Sequence, residues 1–259
     1  MTIDQVTGIL TGIRGRVTSE TLETIRKILV ITQEYSFLGD RFTFDASKDL
    51  SDQVNQLLIQ LSDAMLEEAD KRTLKTIEND DDDETVLAWI HREYNGESNE
   101  ERMDKHSSAL RFLLEGYLAV SFANKLTNAD ILGDALRFLS NPYGWKPMVE
   151  ARQHPERWAS ETVREVFKPG RGNAINPIDA MANMIQYEVL DGYNHGLLLE
   201  FGRDPDIIGY RVERGSSYDC EVCDEAVANS PYPLDVQICP LHNHCVCRVI
   251  PVRASEVGL

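Results

Sequence analysis

Along most of the chain the apolar residues return every three or four positions, the period of a helix with one buried face. From Ser47 to about Thr76 the stripe is Leu50, Val54, Leu57, Leu58, Leu61 and Met65, with acids and lysines opposite. From Ser19 to Tyr35 it is Leu22, Ile25, Leu29 and Thr32, behind a serine able to cap the first turn. The segments Glu84–Tyr94, Asn99–Leu126, Asp130–Leu139 and Glu156–Phe167 are further predicted helices. Asn176-Pro177 makes a good helix start, asparagine as cap and proline in the first turn. That helix carries Ile178, Met181, Ile185 and Val189 on one face, runs to Phe201 and stops at Gly202.

Two turn clusters break this pattern, Ser140-Asn-Pro-Tyr-Gly-Trp145 and Lys168-Pro-Gly-Arg-Gly-Asn173. Asp80 to Asp83 lack the glycine and spaced ligands of a calcium loop, so they read as a solvated loop ahead of a helix. Beyond Gly202 the texture changes. Asp206–Glu213 and Val246–Val252 read as strands, separated by a segment rich in Pro, Asn, Ser and Asp. The expected fold class is α+β: a mainly helical region over residues 1–172, then a helix and a small β unit over 173–259. Two strands alone are marginally stable, so something must staple them.

Composition narrows the function classes. The 259 residues carry 26 Lys plus Arg against 43 Asp plus Glu, a net charge of −17. A surface of that sign repels phosphates, which disfavours duplex DNA as the main ligand; Lys168-Pro-Gly-Arg171 is the one small basic candidate. Residues 173–259 contain no lysine. Acidic surface suits solubility, or docking on a basic protein partner. The longest unbroken apolar run is Val86 to Ile90, too short to cross a bilayer. The N-terminus lacks the basic flank and apolar stretch of a signal peptide, so the expectation is a soluble protein made in the cytosol.

All five cysteines lie between Cys220 and Cys247. An odd number without an export signal argues against a disulfide framework. The order is Cys220-Glu-Val-Cys223, fifteen residues, then Cys239-Pro-Leu-His242-Asn-His244-Cys245-Val-Cys247. A Cys-x-x-Cys pair offers two thiolates to one tetrahedral ion, a distant stretch supplies the rest, and sulfur with imidazole nitrogen suits zinc. Metal binding would also supply folding free energy to a β unit with little core. Seven candidates compete for four places. Cys220, Cys223, Cys239 and His242 form one set. Cys220, Cys223 and His242 with Cys245 or Cys247 form another, and a third uses both Cys245 and Cys247. The plain alternative is cysteines packed as small hydrophobes. A thiol-disulfide redox pair is the sharper rival; it would want Cys220 at a helix start, while Asp219, Asp224 and Glu225 would raise its pKa.

The order helix, strand, Cys-x-x-Cys, variable loop, His-x-x-Cys-x-Cys, strand resembles the C-terminal domain of the phage Mu F-like minor head proteins. The residues that carry the resemblance are Cys220 and Cys223, then His242, Cys245 and Cys247, followed by Arg248-Val-Ile-Pro251. Tyr187-Glu188 and Gly209-Tyr-Arg211 also sit where that family has its helix and strand. The likeness covers about residues 173–252 and leaves the first 170 residues unassigned. It implies a zinc site formed by Cys220, Cys223 and His242 with Cys245 or Cys247, one structural ion per chain, and places Cys239 and His244 outside the pattern. It further implies a bacteriophage or prophage minor capsid protein that acts in head morphogenesis, found in the virion and oligomeric there. Its partners would be the portal protein, the major capsid protein or both.

Enzyme signatures are not found: the sequence has no phosphate loop, His-Glu-x-x-His helix or Gly-x-Ser-x-Gly elbow. His91, His106, His154 and His195 lie apart without a paired nucleophile, and Trp89, Trp145 and Trp158 read as core or interface anchors. The expectation is therefore a structural protein and not an enzyme. The redox enzyme and a zinc-dependent nucleic-acid-binding module are the alternatives.

Overall fold

The computed structural model describes residues 3–77, 80–141, 144–158, 176–215, 218–242 and 245–257. These are mostly helical, with one small antiparallel sheet of two strands. The elements are α1 (Ile3–Thr32), α2 (Lys48–Leu74), α3 (Asp83–Ile90), α4 (Asn99–Ala123), α5 (Asn128–Ser140), α6 (Lys146–Ala151), α7 (Pro177–Phe201), β1 (Ile207–Glu213), α8 (Glu221–Ala228), β2 (Arg248–Arg253) and α9 (Ala254–Val257). No helix among the described residues is long and apolar enough to cross a membrane.

Local chemistry explains most helix ends. The Ser47 hydroxyl accepts from the Leu50 amide at 3.1 Å and starts α2, whose Leu50, Val54, Leu58, Leu61 and Met65 are buried as the period requires. Thr127 and Asp130 form a reciprocal capping box on α5. The Asn176 side chain accepts from the Ile178 amide at 3.0 Å, so asparagine and proline open α7 together.

Three expectations change. Ser19 is interior to α1, because Ile13, Val17, Thr21, Ile25 and Ile28 continue one buried stripe through it. The helix predicted to Tyr94 ends at Ile90. Asn95 and Gly96 adopt positive φ, 55° and 78°, and Tyr94 exchanges backbone hydrogen bonds with Glu97 in a tight turn. Asp82 is buried rather than solvated, and Arg203 holds both of its carboxylate oxygens. The predicted helix Glu156–Phe167 begins as a 3₁₀ turn at Pro155–Arg157, and its continuation lies outside the described residues. So do the Lys168–Asn173 turn, the Lys168–Arg171 basic candidate and the expected 172/173 boundary.

The chain forms two compact units. One comprises Arg14–Met65 and Glu100–Met181. Inside it Phe42 meets Phe44 and Phe122 edge to face, and Tyr117 stacks on Phe138 beside the buried Trp145. Buried Glu115 accepts from the Phe44 amide at 3.0 Å.

The other unit comprises Met1–Ile13, Leu66–Asn99 and Ala182–Leu259, and it contains the sheet. In β1, Ile207, Tyr210 and Val212 are buried while Ile208, Arg211 and Glu213 face out. The strands pair antiparallel, with Tyr210 opposite Pro251 and Arg211 opposite Ile250. The Tyr210 backbone bonds Tyr232 in both directions, at 2.9 and 2.7 Å, and the Val212 amide donates to the Ser230 hydroxyl at 2.9 Å. Tyr210 and Pro251 are therefore a non-hydrogen-bonded pair, and proline fits because that position owes β1 no donor. Gly209 is required by close approach, since a Cβ there would stand 2.6 Å from the Tyr232 carbonyl oxygen. The fully buried Tyr210 donates its hydroxyl to the Val236 carbonyl at 2.7 Å and accepts from the Ile238 amide at 3.3 Å. One tyrosine thus ties the strand to the loop that leads to Cys239.

Candidate metal centre

The first donors sit on α8. Cys220 is its N-cap residue, with extended backbone, and Cys223 lies in the first turn. The Cys220 thiol is held below its ordinary pKa chiefly by the Cys223 backbone beside it, and then by the Cys223 and His242 side chains. The helix start that the redox reading asked for is therefore present. The expectation that neighbouring acids raise Cys220 is corrected: its thiol is lowered, by the Cys223 backbone first and by His242 as well, and Arg214 binds the Asp224 carboxylate.

His242 supplies the next donor. Its Nε2 lies 3.3 Å from the Cys220 sulfur and 3.1 Å from the Cys223 sulfur. In a zinc tetrahedron with ordinary Zn–S and Zn–N bonds, a sulfur–nitrogen edge is about 3.5 Å. The three atoms therefore lie near the separation that one ion imposes. The Cys245 amide donates to the His242 carbonyl at 3.0 Å, so the chain turns tightly and returns both Cys245 and Cys247 to the same core.

Among the described residues two three-donor groups could hold a metal ion. They are Cys220, Cys223 and His242, and Cys223, Cys245 and Cys247, each with its donor atoms within 4.8 Å of one another. Cys223 belongs to both. The structure thus gathers all five expected site residues around one buried thiol. Cys239 is in neither group: it is buried in the apolar core, where desolvation pushes its thiol up to about 12. His244 lies outside the described residues.

The electrostatics explain why this arrangement calls for a cation. Burial raises Cys223 to about 11. Cys245 is lowered to about 5, chiefly by a hydrogen bond from Cys247, and amides of Leu241 and Cys247 add to it. Cys247 is pushed far up, because it keeps the proton that Cys245 gives away. Adjacent buried sulfurs cannot all ionise by themselves, whereas a divalent ion lets them do so. The backbones of Cys223, Leu241 and Gly215 favour the thiolate state of Cys220, Cys245 and Cys247 respectively.

Side chains far away in sequence position the loop. The Gln237 amide donates to the Asp191 carboxylate at 2.9 Å and to the Cys239 carbonyl at 3.0 Å, and its oxygen meets His195 Nδ1 at 3.0 Å. Asp191 is buried and also takes Arg92 at 2.7 Å and the Trp89 indole at 3.1 Å. Trp89 stacks on His195 at 4.1 Å and carries Arg92 on its ring, so it anchors a polar network. Sequence reading does not find Gln237, Arg214 or Gly215, whose roles depend on contacts between distant segments. His91 pairs with Asp70 and His154 with Glu156, while His106 is half-buried and its pKa lowered by desolvation. Trp145 and Trp158 are buried.

Comparison of the chain with family models, curated proteins and solved structures finds no match.

Proposed function

We propose that the chain is a structural minor head protein of a bacteriophage or prophage, whose C-terminal unit is stapled by one zinc ion. The observation that carries the reading is His242 closing over Cys220 and Cys223, with Cys245 and Cys247 returned to the same core in the order that the resemblance requires. Zinc is the ion proposed because sulfur and imidazole donors suit it and four protein ligands close its tetrahedron. The metal's task is to hold the β unit, and the protein's task is docking. Its acidic surface favours a basic patch on the portal protein, the major capsid protein or both, where several copies assemble into the virion.

Two measurements test this. Protein purified without chelators or affinity metals is expected to hold one zinc per chain, with its site thiols unreactive until a chelator is added. Co-expressed with the portal and major capsid proteins of its own genome, the chain is expected to sediment with assembled heads. Metal-free protein overturns the staple, and a chain left wholly in the unassembled fraction overturns the head assignment.

One observation favours a second reading, thiol-disulfide exchange: Cys220 caps α8 and its thiol is lowered. The two readings part on one result. A redox pair forms a Cys220–Cys223 disulfide reversibly in metal-free protein with the fold intact, whereas the staple loses its fold when the metal leaves.

A further inference from the structure

Arg214 stands immediately after β1, and its guanidinium reaches residues on either side of the Cys220–Cys223 pair in the chain. One nitrogen binds Asp224, the residue after Cys223, and another donates to the Tyr218 carbonyl. Its Nε is buried and has no hydrogen-bond partner among the described residues. Its charge acts on Cys223, which is common to both donor groups, and on Cys247. The next residue completes the arrangement. A Cβ on Gly215 would stand 1.7 Å from the carbonyl oxygen of Val246, between Cys245 and Cys247. The Arg214-Gly215 step is thus pressed against the Cys245–Cys247 arm while its side chain reaches the Cys223 arm.

We propose that Arg214 is the charge-balancing residue of the metal centre, a role that rests on the metal reading above. A divalent ion held by His242 and three thiolates carries a net charge of −1, and the fourth sulfur of the two donor groups adds to the crowding. In a half-buried setting that excess negative charge weakens the site unless a fixed cation lies beside it. Arg214 is 21% exposed, stays protonated at any working pH, and is held in place by Asp224 and Tyr218. Outer partners of this kind are worth about 10–100-fold in metal affinity.

The alternative is that Arg214 merely pins α8 through Asp224. The two roles predict opposite signs, because removing Asp224 breaks the pair yet leaves the guanidinium charge to the sulfurs. The experiment is Co(II) and Zn(II) affinity of the full chain, measured by competition with a chromophoric chelator, for wild type, Arg214→Gln, Arg214→Lys and Asp224→Asn. The expected result is a loss of about 10–100-fold for Arg214→Gln, recovery to within about threefold for Arg214→Lys, and unchanged or tighter binding for Asp224→Asn. Equal affinity of wild type and Arg214→Gln overturns this proposal and leaves the metal site standing. Parallel losses in Arg214→Gln and Asp224→Asn, or no recovery with lysine, overturn it in favour of pinning. If Arg214→Gln does not fold, the lysine and Asp224→Asn arms still decide. Wild-type protein that binds neither ion overturns the metal reading itself.

Discussion

Cys223 and His242, nineteen positions apart, hold Sγ and Nε2 3.1 Å from each other although they arrive on a helix and on a loop. The helix is started by Cys220, and the loop is fixed by the turn that carries Cys245 back into the core. Both elements are short, and neither has an apolar face large enough to hold itself in place. Their positions are set by what surrounds the cluster: Tyr210 below the loop, Gln237 at its entrance and Gly215 against its exit.

Cys223 is common to both donor groups, so Cys223→Ser is expected to abolish stoichiometric metal binding. Loss of the ion would remove the staple. Amide hydrogen exchange is then expected to lose protection from about residue 203 onward, while α4 and α5 keep theirs. Unchanged protection in β1 and β2 would refute the staple.

Cys239 separates the ligand sets. It is buried outside both donor groups, so Cys239→Ala is expected to retain one ion per chain and to cost about 1 kcal/mol through lost packing. Metal analysis and urea unfolding of the same preparation check both halves. Loss of the ion would restore the set containing Cys220, Cys223, Cys239 and His242.

Gly215→Ala places a methyl group against the Val246 backbone, which must shift and carry Cys245 and Cys247 with it. Metal affinity is expected to fall at least about tenfold, as when other supports of a metal site are removed. Gly8→Ala in α1 is the control. Nothing lies within 4 Å of that position, and alanine there is expected to stabilise the helix by about 1 kcal/mol without changing metal binding.

Asp82 gives a pH dependence whose sign can be worked out. Its hydrogen bonds from Arg203 hold its folded pKa below the ordinary 3.8. A depressed carboxylate contributes stability that is fully present above the unfolded pKa and is lost as pH falls through the lower folded value. Asp82→Asn is expected to cost about 1 kcal/mol at pH 7, discounted because Arg203 is half exposed, and progressively less as pH falls below the ordinary carboxylate value toward the lower folded one. Urea midpoints of both proteins across that range would show the difference closing on the acid side.

Helices with an uninterrupted stripe were legible in the sequence. α2 and α4 follow their apolar period closely, and Asn176-Pro177 marks the start of α7 chemically. The first half of α1 was not legible, because Gly8, Gly12 and Gly15 lower its helix propensity and Thr21 stands where a larger apolar residue would have continued the stripe. The donors were legible as a set, since spacing alone shows which residue types can converge. Their grouping was not. It depends on α8, eight residues with a cysteine at the N-cap position and another in the first turn, and on Arg214 and Gln237, whose partners lie in other segments.

Pro251 carries one more consequence. Because Tyr210 turns its backbone groups toward Tyr232, the position opposite it turns its own away from β1, to the outer side of β2. Among the described residues no third strand pairs there. A neighbouring copy that tried to extend the sheet on that side would meet proline where it needs a donor, in the middle of a six-residue strand. The unit can therefore be brought to high local concentration with its open strand blunted against runaway strand-to-strand polymerisation.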